Sequence, residues 1–140
     1  MPGTERRIVV GVDGSAASQR ALDWGIAEAH RVGASLHLVT AWMFPMALGY
    51  AFTTTVQEVR QSAQDVIDRA TAHAAEVAGD VTVTGETTEQ SPGPALVTAA
   101  KDADLLVVGS RGLGGFEGLV IGSVSQYCTR HATCSVVVVR

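Results

Sequence analysis

Two rhythms of apolar and polar positions alternate along this chain. Short continuous apolar runs are separated by longer stretches in which apolar residues recur every three or four positions. RRIVVGVDGS opens with a β-branched run that stops at a Gly/Asp/Ser cluster, which predicts a buried first strand with Ser15 placed to cap the next helix. AASQRALDWGIAEAHRVGA then sets Ala21, Leu22, Ile26 and Ala29 on one helical face, with Gly33 just past the end of the helix. SLHLVTAW is a second strand, and MFPMALGYAFTTT, with Pro45, Gly49 and no clean period, is a loop. From about Val56 to Val77 a mainly polar helix carries Val59, Ala63, Val66, Ile67, Ala70 and Ala74 on one face, and Gly79-Asp80 stops it.

The second half repeats the alternation. VTVTGETTEQ reads as a third strand, SPGP opens a short helix over ALVTAAKDA, and DLLVVGS is a buried strand. A helix from about Gly122 to His131 and a last strand, CSVVVVR, close the series. The predicted order is β-α-β-α-β-α-β-α-β. Continuous apolar strands alternating with helices indicate a parallel sheet covered on both faces, an open doubly wound α/β fold. Such folds bind ligands beyond the carboxyl ends of their strands, where the strand order reverses.

Composition narrows the function. The 140 residues are the size of one domain, with no linker or internal repeat, and 46% hydrophobic residues supply a core. A net charge of −4 argues against a general nucleic-acid binder. No apolar run approaches the roughly eighteen residues of a membrane span, and MPGTERRIVV has no apolar signal core, so a soluble cytoplasmic protein is expected. Cys128 and Cys134, the only cysteines, fit a reducing compartment.

The chemistry concentrates in GSRGLGGFEGLVIGS, residues 109–123, which holds six of the fifteen glycines. It leads from the end of the strongest strand into a helix start, the place where an α/β fold offers free backbone N–H groups and a positive helix end to phosphate. Glycine lets the backbone approach the anion. Ser123 adds a hydroxyl, and Arg111 is a candidate charge partner. Two better-known glycine motifs fail: a P-loop needs lysine directly before its Ser or Thr, where this chain has Ile121-Gly122 before Ser123, and Glu117 stands where a dinucleotide fingerprint needs glycine.

The spacing that fits is Gly109-x2-Gly112-x9-Gly122-Ser123. With IVVGVDGS, LHLVTAW, SPGPALVTAA and the whole segment from Asp104 to Arg140, it resembles the ATP-binding branch of the universal stress protein family. The resemblance implies a five-stranded Rossmann-like sheet ordered 3-2-1-4-5 and a site for ATP, or another adenine nucleotide, with Mg²⁺. It implies that Asp13 lies near the phosphates and the metal, a position that suits a hard cation; a turn aspartate helping Ser15 to cap the helix is the alternative. It implies further that Thr40 and Ala41 present backbone to the adenine, that Val12 lines the cavity, and that Gly93 lies beside the ribose. For Gly93 a rigid turn between two prolines is equally open. Gly109, Gly112, Gly122 and Ser123 match the phosphate loop, with Ser125 a weaker candidate.

The expected activity is that of a nucleotide-dependent switch or regulator in the stress response. No general base accompanies the loop, and the only lysine, Lys101, lies on a predicted helix, so hydrolysis is slow at most. AMP or cyclic AMP in the same pocket, a slow ATPase, and a nucleotide-free interaction module are the alternatives. SVVVVR at a sheet edge would be an aggregation liability that pairing with a second copy removes, and the resemblance implies a homodimer of that kind. Cys128-x2-His131-x2-Cys134 has metal-like spacing, but a fourth ligand is missing, and reduced core thiols are expected instead.

Overall fold

Ile8, Val9 and Val10 are essentially inaccessible to solvent, and they form the centre of β1 (Arg7–Gly11), the middle strand of the sheet. The structure, a computed structural model, describes residues 5–44, 55–111 and 122–140. Most of the loop 43–55 and the greater part of the glycine segment therefore lie outside the described residues. After β1 come α1 (Ala16–Val32), β2 (Ser35–Trp42), α2 (Val56–Val77), β3 (Val83–Glu89), α3 (Pro92–Ala99), β4 (Leu105–Gly109), α4 (Ser123–His131) and β5 (Ser135–Val139). The strands pair in parallel in the order β3-β2-β1-β4-β5, the order the resemblance implies.

A parallel strand buried on both faces sends alternate side chains to two cores. Ile8, Val10, Leu36, Leu38 and Val107 meet Leu22 and Ile26 of α1 and Ile67, Ala70 and Ala74 of α2. On the opposite face Val9, Val39, Leu106 and Val108 meet Leu96 of α3 and Cys128 of α4. Fully burying each such aliphatic side chain stabilises the fold by about 1.5–3 kcal/mol.

The helix ends follow their sequence signals. Ser15 Oγ accepts from the Ser18 N–H at 3.1 Å, and Gly33 closes α1 in the left-handed conformation at φ 72°. Thr55 and Glu58 form a reciprocal capping box at the start of α2. The third helix opens within SPGP as expected but is shorter at its end. It begins at Pro92, three residues before ALVTAAKDA, and ends at Ala99. Both prolines fall in the first turn, where a missing N–H costs nothing and the fixed φ already suits a helix. At the outer strand, His37 is held between Thr84 Oγ1 (2.6 Å from Nδ1) and Glu86 (3.5 Å from Nε2), and burial lowers its pKa below the ordinary value.

Candidate functional site at the carboxyl edge of the sheet

β1 is flanked by β2 on one side and β4 on the other, so the chain diverges between β1 and β4. At this divergence the carboxyl ends of both strands lie side by side. Val12 extends β1 by one rung, its N–H donating to Val39 O at 2.9 Å, and the buried Thr40 hydroxyl donates to Val12 O at 2.8 Å. Two of the predicted residues are thereby tied together. Ala41 lies at the end of β2, opposite Thr88 of β3.

Asp13 sits in a tight turn. Gly14 takes φ 83°, a conformation that L side chains adopt only with strain, and the Ser15 N–H donates to Asp13 Oδ1 at 2.9 Å. Ser18 completes the turn: its hydroxyl donates to Ser15 O at 3.1 Å and accepts from the Asp13 N–H at 3.3 Å. One carboxylate oxygen of Asp13 is thus spent on shaping the turn. The turn role and the ligand role can coexist on the two oxygens.

At the end of β4 the chain approaches α1 closely. A Cβ on Gly109 would lie 2.8 Å from both the carbonyl carbon and the oxygen of Ala17, in the first turn of α1. Backbone cannot swing aside as a long side chain can, so this glycine is required by packing whatever it binds. Next to it, the Ser110 N–H donates to Val139 O at 2.8 Å, while the Ser110 carbonyl accepts from the Gly122 N–H and from the Ser125 hydroxyl (3.3 Å). Ser125, 1% exposed, also donates to Gly122 O at 3.0 Å. Both ends of the glycine segment are therefore fastened together.

Gly122 is the N-cap of α4 with no side chain to satisfy the helix's first N–H groups, and Ser123 is exposed beside it. Arg111 is also exposed. Gly93, at the start of α3, faces Tyr127 of α4, whose ring would be 2.7 Å from a Cβ there. The structure thus brings Val12 to Thr40, Gly109 to α1, and Ser110 to Gly122 and Ser125, while Gly112 lies outside the described residues.

Sequence reading passed over Ser18, Ser110 and Tyr127. Ser18 had a signal, standing three residues after a capping serine; the other two act through contacts distant in sequence. It also passed over Arg60, whose guanidinium lies 5.5 Å from the centre of the Trp42 ring near the end of β2. Among the described residues no three His, Cys, Asp or Glu side chains are grouped to hold an ion. Both thiols are free, and burial pushes Cys128 up to about 11 and Cys134 in the same direction, so they stay protonated.

The sequence profile of the universal stress protein family matches residues 5–140. The chain belongs to this family. A universal stress protein of Mycolicibacterium smegmatis is 32% identical over 142 residues, covering 97% of this chain and 48% of the relative. The chain spans about half the length of the curated relatives it matches. Among solved universal stress proteins, UspA from Lactobacillus plantarum superposes with a TM-score of 0.82 at 25% identity, over 96% of this chain and 97% of its own. A universal stress protein solved in complex with cAMP gives 0.74 at 28% identity, over 96% and 97% of the two chains.

The Gly109 contact makes a prediction about this universal stress protein fold. Gly109→Ala should destabilise it by about 1–3 kcal/mol through overpacking against Ala17. Urea denaturation checks this, and an unchanged midpoint would mean that α1 moves away freely.

Proposed function

We propose that residues 1–140 form a single universal stress protein domain that binds an adenine nucleotide, ATP with Mg²⁺, and acts as a nucleotide-dependent switch in the stress response. The observation that carries this reading is the joining of Gly109-Ser110 to Gly122 at the strand divergence, directly before a helix start with no side-chain cap. The spacing Gly109-x2-Gly112-x9-Gly122-Ser123 spans this junction. Free N–H groups and the helix dipole at that point favour an anion.

In this reading Gly109, Gly112, Gly122 and Ser123 surround the phosphates and Arg111 adds charge. Ser125 holds the loop closed from within. Val12, Thr40 and Ala41 line the adenine end, and Gly93 lies towards the ribose. For Mg²⁺ the protein offers Asp13, with one carboxylate oxygen engaged by the Ser15 N–H. That donor set fits a cation that keeps several waters and takes its other oxygens from phosphate. With no general base assigned beside the phosphates, hydrolysis is slow. The cAMP complex of a relative 28% identical to this chain favours cyclic AMP as the second reading for the same pocket.

A second copy of the chain is the partner we propose. β5 is an outer strand of the sheet, and its valines are only partly covered. An unprotected apolar edge of this kind is stabilised by pairing with another chain. Sedimentation equilibrium should give twice the chain mass; a monomer at micromolar concentration would contradict it.

Gly122→Val tests the pocket. The backbone at Gly122 is extended, at φ −74° and ψ 169°, so valine fits the main chain while its branched side chain blocks phosphate approach. By calorimetric titration the wild type should bind ATP with Mg²⁺, and the variant should lose binding with an unchanged melting temperature. Retained affinity would contradict the phosphate-loop assignment, and a preference for cyclic AMP in competition would favour the second reading.

A further inference from the structure

A cavity of about 420 Å³ lies at the amino end of the sheet, away from the divergence of the strands. A space of this size suits a small molecule. Ile8, Val32, Ala34 and Leu105 form its apolar part, between the end of α1 and the first residues of β1 and β4. Both strands are five residues long, so roughly 15 Å separates this end from the carboxyl edge.

Strand alternation sets the direction of the polar groups. Ile8 and Leu105 face α1, and so do Val137 and Val139 of β5. Ser135, two residues before Val137, falls on that face, as does Arg6, two residues before Ile8. The Arg6 main chain is fixed, because its carbonyl accepts from the Ser35 N–H at 2.8 Å and from the Ser35 hydroxyl at 3.3 Å.

Four charged residues line the cavity, and they are unequally engaged. Arg31 donates to Glu28 twice, from Nε at 3.0 Å and from Nη2, which holds the Glu28 carboxyl below the ordinary carboxylate range. Those two charges offset each other. Asp104 Oδ2 accepts from the Arg7 N–H at 2.8 Å. The Arg6 guanidinium and the Ser135 hydroxyl, by contrast, have no hydrogen-bond or ion-pair partner among the described residues. Two donors are thus left over beside an apolar wall.

We propose that this cavity binds a small carboxylate: the anion pairs with the Arg6 guanidinium and accepts from the Ser135 hydroxyl, while its hydrocarbon part lies on Ile8, Val32, Ala34 and Leu105. The guanidinium fork matches the two oxygens of a carboxylate. A doubly charged phosphate fits less well, because Glu28 and Asp104 line the same space. The negative end of α1 is offset by Arg31 in its last turn and by the Ala34 N–H, which returns to Ala29 O at 2.9 Å. The cavity shares no residue with the nucleotide pocket proposed above.

Titration of methyl-labelled protein with benzoate and with hexanoate, followed by NMR, tests the assignment. At least one of them should shift the Ile8, Val32 and Leu105 methyl signals saturably, with Kd on the order of 1 mM or tighter. Benzyl alcohol and hexanol, similar in size but uncharged, should bind about tenfold more weakly or worse. Arg6→Gln should lose about tenfold in carboxylate affinity at an unchanged melting temperature, since the Arg6 side chain is exposed and unpartnered among the described residues. No saturable shift with either carboxylate would overturn the proposal, and so would wild-type affinity in Arg6→Gln. Alcohols binding as well as the acids would overturn it too, because they would mark a cleft without anion recognition. None of these outcomes depends on whether ATP binds.

Discussion

The approach of Gly109 to Ala17 sets the geometry of the carboxyl edge. With 2.8 Å available to a Cβ, only a residue without one lets the first turn of α1 close against the end of β4. That closure brings the β1 loop, with Asp13 and the Ser15 cap, alongside the end of β4. β1 has β2 on one side and β4 on the other, and the chain continues from β1 to α1 on one face of the sheet and from β4 to α4 on the other. Among the described residues, Val12 is joined to Thr40 on one side, and Ser110 to Gly122 and Ser125 on the other. The start of α4 has no side-chain cap.

The edge therefore relies on backbone and hydroxyl donors, with few charged groups. Asp13 is half committed to its turn, Arg111 is exposed, and no His/Cys/Asp/Glu cluster is present among the described residues. Backbone N–H groups and hydroxyls of this kind suit a ligand that brings its own charge. The same economy explains the cysteines, which contribute packing under α4 and whose thiols burial keeps protonated.

Much of this was legible in the sequence, because period and punctuation agree. The valine and leucine runs of β1, β2 and β4 and the apolar stripes of α1 and α2 needed no tertiary context. The strand order did need it, and came from the family resemblance, since periodicity says nothing about which strands are neighbours. SPGP was read as opening α3, and the helix does begin at Pro92, since a first helical turn tolerates both prolines; its end was read too far, at Ala103, where the structure ends it at Ala99. Gly109 was read as making room for a ligand, and the structure gives it a packing partner as well. Ser110 carried no signal at all: its main chain joins β5 and the start of α4 to the end of β4, which only the folded chain reveals.

The central claim is that the junction of Gly109-Ser110 with Gly122 holds a nucleotide. The most direct measurement is to denature freshly purified protein and identify by mass what it releases. This account predicts an adenine nucleotide, ATP, in stoichiometric amount with the chain. Protein that releases nothing, and stays empty when ATP and Mg²⁺ are added, would contradict it.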